Sequence, residues 1–515
     1  MKINSKFLSK TNSVALIIIA LGILIVLNFF SYNIFYRFDL TQNKDYSISK
    51  VSKNTVADLK DIVSIKAYFS ANLPAQYINL RQEVSDILEE YGSYSGGKVR
   101  FEFIDPGDDQ ALEQELYLAG IPQLQFNVLE KDKYQVVNGY LGLLIQYGEK
   151  TQAIPVVETT INFEYQITAA IKKLTNNKLA GVGFWQGNGA VQAQNDTAAA
   201  YKNLGEIYDV SAINFTTEKK IPDNFETLII IGPKEKFNDE ELKAIDLFLM
   251  RGGSLVILIN GVTVEQGLSA DKNDTGLNKI LESYGLRLNN NLVLDSSNGL
   301  ASFSQGFVTF SVNYPYWPKI IKSGFDQNNA AVAKLEGLVL PWASSIDVLT
   351  DKFPSSADQA IAVSYLARTT DQAVTVADNF NLSPQARISN GQSGKFNLAV
   401  SLAGKFKSAF NNPSLKPGRM VLVGDSDFIS DNFLRNYPDN LLFFQNVVDS
   451  LSLGDDLITI RSKGVTERPL KEVNESVKTA VRYGNIFGLT AVVLLFGMAR
   501  YYLRRRSKTV GRHEL

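Results

Sequence analysis

Cysteine is missing altogether from the 515 residues, and histidine occurs once, as His513. Without a thiol the chain holds no disulfide, thiolate nucleophile, CxxC redox pair or cysteine-ligated metal. One imidazole at the end of the chain does not serve a Ser-His-Asp triad, an HExxH zinc site or a histidine base within a folded body. A Walker-type lysine loop is also absent. Charge of one sign is lacking too. The 52 Lys and Arg against 53 Asp and Glu leave a net charge of −1, without the basic excess that nucleic acid demands. No cofactor, resident metal or nucleic-acid partner is expected.

What is present is apolar. A hydrophobic content of 45%, with 30 Phe and 22 Tyr, is ample for globular cores, and the length suits two or three domains. Lys2, Lys6 and Lys10 precede an unbroken apolar run from Val14 to Leu27, and the uncharged window extends from Thr11 to Tyr36. That length crosses about 30 Å of hydrocarbon, and its bulky aromatic end differs from a signal-peptide cleavage site. A second uncharged run, Tyr483 to Ala499, is followed by Arg504-Arg505-Arg506. The positive-inside rule then predicts both termini in the cytoplasm and the central body beyond the membrane.

Between these runs the periodicity changes twice. Val63–Phe69 alternates as a strand, apolar residues through Pro74–Tyr94 have helical spacing, and Lys98–Ile104 is again a strand. Helix Gln110–Ala119, paired strands Leu124–Leu129 and Gly139–Tyr147, and helix Ile161–Leu174 follow. That order is the order of a thioredoxin-like domain without CxxC: Ser70-Ala-Asn-Leu73 stands in place of the redox pair, and Pro122 falls where that fold carries a cis-proline. From Leu179 the pattern becomes a doubly wound, Rossmann-like α/β one. Its most explicit part is strand Leu228–Ile231, a helix opened by Asn238 with Glu241 in a capping box, the stop Gly252-Gly253, and strand Ser254–Ile259.

The expected organisation is therefore α/β with two terminal transmembrane helices. Residues 1–12 form a cytoplasmic N-terminus, 13–36 a transmembrane helix, 37–175 the thioredoxin-like domain and 176–298 the doubly wound domain. Residues 299–415 are a mixed insertion of short strands and loops, and 416–470 resume the α/β pattern. Residues 471–483 make a juxtamembrane helix, 484–503 the second transmembrane helix and 504–515 a basic cytoplasmic tail.

Three stretches could carry a ligand, each against a structural alternative. Gly187, Asn188 and Gly189 follow the first strand of the α/β domain, where a dinucleotide loop would lie, but the third glycine of GxGxxG is missing. A tight strand-to-helix turn is the alternative. Asp425, Ser426 and Asp427 follow another strand end, as a phosphatase-like Asp-x-Asp would, yet Phe428 replaces the expected Thr or Val. Alternatively, Asp425 and Ser426 cap the turn and Asp427 faces solvent. Tyr316 and Trp317, within Tyr314-Pro-Tyr-Trp-Pro318, form either a sugar-stacking platform or a sealed domain junction.

Arg37-Phe-Asp-Leu-Thr41 with Tyr46-Ser-Ile-Ser49, the unit 228–259, Tyr314–Pro318 and Gly424-Asp-Ser-Asp-Phe428 resemble, in that order, the GldG family. This is the auxiliary component of an ABC-type transport system linked in some bacteria with gliding motility. The resemblance implies a membrane-tethered, extracytoplasmic subunit beside a permease and a cytoplasmic ATPase, with envelope components as further partners. It implies no catalytic residues. Where family members often show Gly-His-Gly-Glu, this chain has Gly187-Asn-Gly-Ala190. The α/β part is also similar to class I glutamine amidotransferase domains, whose cysteine nucleophile is absent here. The primary expectation is a non-enzymatic auxiliary subunit in the cytoplasmic membrane. The alternatives are a carboxylate- and divalent-cation-dependent envelope hydrolase, and a surface glycan or peptide binding module.

Overall fold

Every side chain of Leu228-Ile-Ile-Ile231 is buried, because helices cover both faces of the sheet it belongs to. The computed structural model describes residues 47–452, except 75–76, 108, 131–132, 161, 176–178, 216–219, 266–267, 306–307, 354–359 and 385–390. It also describes 475–510 and residues 19, 22 and 23. The chain divides into Met1–Val465 and Thr466–Leu515.

The N-terminal part runs α1 (Lys50–Ala57), β1 (Val63–Phe69), α2 (Ile78–Tyr94), β2 (Val99–Ile104), α3 (Gln110–Leu118), β3 (Leu124–Glu130), β4 (Lys133–Gly139), β5 (Leu141–Tyr147), β6 (Lys150–Ile154) and α4 (Phe163–Thr175). Its sheet has the order β2-β1-β5-β6, with β1 parallel to β2 and antiparallel to β5. Leu80, Val84, Ile87, Leu88 and Tyr91 put the apolar stripe of α2 into the core beside β1 and β5.

Two sequence expectations change here. Strand β3 pairs with β4 rather than with 141–147, and the chain changes sheets at Tyr140. The backbone of Tyr140 turns to Ser70: its N–H donates to Ser70 Oγ at 3.0 Å and its carbonyl accepts from Ser70 N at 3.1 Å. That exchange releases the apolar run of β5 into the main sheet. Among the described residues no peptide bond is cis, so the bond before Pro122 is trans.

Helix α4 has two buried faces. Phe163, Ile167, Ala170, Ile171 and Leu174 join the N-terminal core, whereas Tyr165 and Ala169 join a core of the next sheet. That sheet is built from β7 (Gly181–Gln186), α5 (Ala198–Gly205), β8 (Asp209–Asn214), β9 (Phe225–Ile231), α6 (Asp239–Met250) and β10 (Ser254–Leu258). It is completed by β11 (Leu286–Leu288), β12 (Ile346–Val348), β13 (Ala362–Arg368), β14 (Asn397–Gly404), β15 (Gly418–Val423) and α7 (Asp439–Ser452). The spatial order β8-β7-β9-β10-β15 is parallel throughout, and β14 continues it antiparallel to β15.

Pleating sorts the side chains. Leu228 and Ile230 of β9, Leu255 and Ile257 of β10, and Met420 and Leu422 of β15 face Leu242, Ile245, Phe248 and Leu249 of α6. The alternate residues Ile229, Ile231, Val256, Leu258, Val421 and Val423 face α5 and α7 through Leu204, Phe443, Phe444 and Val447. Each such burial contributes about 1.5–3 kcal/mol relative to exposure. Helix α6 has the expected capping box between Asn238 and Glu241.

Residues 299–415 hold more regular structure than short strands and loops. A 14-residue strand, Val308–Ile321, pairs with Asn298–Gln305 and carries Pro315 and Pro318. Pro318 lies opposite Asn298, where the register shifts, so the missing N–H is accommodated.

The first expected membrane helix, 13–36, lies outside the described residues apart from 19, 22 and 23. The second falls on a 36-residue helix, Glu475–Val510, whose Ile486, Phe487, Leu494, Leu495, Phe496 and Met498 are exposed. Judged on the described residues, no helix is long and apolar enough to cross a membrane.

Candidate functional site at the carboxyl edge of the parallel sheet

In chain order, the strand arrangement β8-β7-β9-β10-β15 is 2-1-3-4-5, so the winding reverses between β7 and β9. In open α/β sheets ligands bind outside the carboxyl ends of the strands, at such a switch point. Two of the three candidate stretches, Gly187–Gly189 after β7 and Asp425–Asp427 after β15, lie on this edge.

At the switch point Asn188 adopts a left-handed conformation, with φ of +54°. Its carbonyl accepts from Lys234 N at 2.9 Å and Glu235 N at 2.8 Å. Its side-chain oxygen accepts from Trp185 Nε1 at 3.0 Å, and its amide donates to Glu241 Oε2 at 3.0 Å. Ala190 N donates to the Gly187 carbonyl and Val191 N to Ile231. Gly189 packs close against Lys234. Two backbone donors of this turn, Ala190 N and Val191 N, are thus already spent on protein acceptors. Asn188 is a clip joining the two switch-point loops to the start of α6.

The acidic loop is organised by Asn260, beyond the end of β10. Asn260 Oδ1 accepts from Ser426 N at 2.7 Å and Ser426 Oγ at 2.6 Å, and its Nδ2 donates to Asp427 Oδ2 at 2.7 Å. Asn273 Nδ2 donates to the Asn260 carbonyl at 3.0 Å and to that of Pro233 at 2.9 Å. Ser344 N donates to the Gly424 carbonyl at 2.7 Å, and Gly261 N to Ser344 Oγ at 2.9 Å. Gly232, with φ of +54°, lets Ser426 approach: a Cβ there would stand 2.8 Å from Ser426 Oγ.

Asp425 is fully buried. Its Oδ1 accepts from Asp427 N at 2.7 Å, and its buried Oδ2 has no protein partner. Burial pushes this carboxyl well above the usual carboxylate range, the nearby Asp427 charge adds to the effect, and the backbone N–H groups of Asp427, Phe428 and Ser426 oppose it. Burial also raises Asp427, against the Asn260 amide and the Lys234 charge. Asp427 is half-buried and tied to Asn260, rather than facing solvent. A divalent cation needs ionised, converging carboxylates. Here burial favours neutral Asp425, and among the described residues no group of three or more acidic or imidazole side chains gathers.

The aromatic stretch lies elsewhere in the fold but reaches this loop. Tyr316 is 5% exposed and donates its hydroxyl to the Asn381 carbonyl at 3.0 Å. Trp317 is half-buried among Trp342 at 5.6 Å, Phe433 at 5.1 Å and Tyr314 at 5.8 Å. Phe433 follows the acidic loop directly, so the arrangement is that of a packed junction. Asn260, Asn273, Ser344 and Lys234 escaped sequence reasoning. The available signal was the Asn260-Gly261 pair ending the strand that begins at Ser254.

Comparison with known proteins bears on this same region. A family described as an ABC-type uncharacterized transport system matches residues 180–451, and a domain of unknown function matches 42–146. An uncharacterized protein of Borreliella burgdorferi is 25% identical over 496 residues, spanning 92% of this chain and 94% of its own length. Among solved structures, the mmIFT52 N-terminal domain overlaps 56% of this chain and all of its own at 16% identity and a TM-score of 0.35. A β-galactosidase from Rahnella sp. R3 overlaps 58% of this chain and 36% of its own at 13% identity and a TM-score of 0.26. The family match takes in more than half of the chain, from β7 to α7 with every loop of the carboxyl edge, and the protein belongs to the ABC-type uncharacterized transport system family.

Proposed function

We propose that the protein is a non-enzymatic auxiliary subunit of an ABC-type transport system. It is anchored in the cytoplasmic membrane by its two terminal apolar runs, with the folded body beyond the membrane beside a permease and a cytoplasmic ATPase. Family membership supports a transport-associated role. One observation carries the non-enzymatic reading. At the sheet edge where this architecture does chemistry, Asn188 is hydrogen-bonded to Lys234, Glu235 and Glu241, and Asn260 to Ser426 and Asp427. Such an edge is a rigid coupling surface rather than an open reaction site. The exposed apolar residues of Glu475–Val510 and the arginines after them support the anchor.

Purification of the tagged full chain from native membranes tests the assignment. Recovery of a multi-span permease and a Walker-motif ATPase is expected, together with digestion of the body when protease reaches only the extracytoplasmic side. Repeated recovery without either partner, or a body protected from that protease, overturns it.

A further inference from the structure

Away from the sheet edge, a recess of about 910 Å³ opens beside α1. Lys50 and Asn54 line it from one face of α1, Asp58 from the cap that ends the helix, Lys60 from the following turn, Tyr147 from the end of β5 and Lys172 from the last turn of α4. Three ammonium groups thus meet one carboxylate. The Lys98 ammonium also donates to the carbonyl of Leu59, another wall residue, and adds a fourth cation nearby.

Helix stability does not account for the charge of Lys50. Lys50 is the first residue of α1, and the first turn has no acid. A cation there opposes the helix dipole. Neither Lys50 nor Lys60 forms an ion pair with a described residue.

The wall is also preorganised. Ile48 N donates to Glu90 Oε2 at 2.7 Å, and Ser49 N and Ser52 Oγ donate to Glu164 Oε1 at 2.5 and 2.6 Å. Two buried carboxylates on α2 and α4 therefore hold the start of α1 in place. The side of α1 that these contacts leave open carries the lysines.

We infer that this recess binds a phosphate-bearing anion through Lys50, Lys60 and Lys172, with the Asn54 side-chain amide as a hydrogen-bond donor. Lysine serves phosphate as a point charge. The volume lies within the range of ligand pockets and far exceeds a bare phosphate, so the ligand is an ester. A lipid headgroup and a soluble phosphate ester present the same chemistry. Either can fill the recess whether or not the chain is membrane-anchored.

Calorimetric titration of the full chain in non-ionic detergent decides the matter. The probes are glycerol phosphate, dihexanoyl phosphatidylglycerol and inorganic phosphate, with glycerol as the uncharged control. Binding of at least one phosphate probe is expected, weakened by roughly tenfold in Lys50→Gln/Lys60→Gln/Lys172→Gln and by added salt. Asp58→Asn is expected to tighten binding severalfold, which keeps the test decisive should the triple variant fold poorly. Preference for the phospholipid supports the site with a headgroup source, and equal binding of glycerol phosphate supports it with a soluble source. No binding by any phosphate probe, or binding unchanged in both variants, overturns the inference.

Discussion

Tyr208, just before β8, donates its hydroxyl to Asp449 Oδ1 of α7 at 2.7 Å, and Tyr165 of α4 approaches the other oxygen at 3.5 Å. This contact lies where the helix shared with the N-terminal part meets the parallel sheet. Asp449 is 0% exposed, and burial pushes its carboxyl up to about 7, against the hydrogen bond from Tyr208. From the ordinary value of 3.8, the folded-state pKa is therefore raised.

The sign of the pH dependence follows from that shift. Below about pH 4 Asp449 is protonated in both states and contributes no slope. Between about 4 and 7 the unfolded chain ionises while the folded chain stays neutral, so stability falls as pH rises, by at most about 4 kcal/mol from this group. Asp425 and Asp427 are raised as well and act in the same direction. In thermal unfolding of the full chain in detergent, Asp449→Asn should match wild type near pH 4 and exceed it near pH 8. An unchanged difference between the two pH values would refute the role given to Asp449.

Asn260 satisfies both Ser426 donors and one Asp427 oxygen. Asn260→Ala leaves these buried groups without their partner, at a cost of about 2–4 kcal/mol. Denaturant unfolding measures the loss, and hydrogen exchange should show the amides of 424–430 opening faster than those of β9. Asn273→Ala, which removes two donations to carbonyls, should cost less.

Local chemistry made much of the fold legible. The Asn238–Glu241 capping box and the fully apolar strands on either side of α6 need only neighbouring residues to be recognised. Partner choice at a distance was not legible. The pairing of β3 with β4 depends on Tyr140 meeting Ser70, and the long strand Val308–Ile321 keeps its prolines because a register shift receives them. For the candidate site, strand ends pointed to Asp425–Asp427 and Gly187–Gly189, since both follow apolar runs. Their surroundings depend on strand order, which brings Asn260 to Ser426 across 166 residues. The aromatic stretch was visible as composition, but its burial against Phe433 follows from topology.

Gly424 joins β15 to the acidic loop where the backbone of Ser344 crosses it. A Cβ at this position would run into the Ser344 carbonyl oxygen, which cannot rotate away as a side chain would. Gly424→Ala should therefore destabilise by about 3 kcal/mol or more, through the Ser344–Gly424 hydrogen bond and the strain of separating the two segments. Gly97→Ala is an informative contrast: nothing lies within 4 Å of its Cβ position, and its cost comes from a φ of +84° alone. Equal losses of midpoint in the two variants would refute the close-approach argument.

Glu164 fixes the path by which the chain enters the N-terminal core, because one carboxylate oxygen accepts from both Ser49 N and Ser52 Oγ. Tyr91 reinforces the same point by donating to the Glu164 carbonyl at 2.9 Å. Glu164→Ala removes two short hydrogen bonds, each contributing about 0.5–1.5 kcal/mol. Glu90 still holds Ile48 N, so α1 should loosen without the core unfolding. Hydrogen exchange is expected to quicken across 48–57 while β1 and β5 keep their protection. If those strands lose protection together with α1, the helix belongs to the cooperative core and Glu164 is not a separable latch.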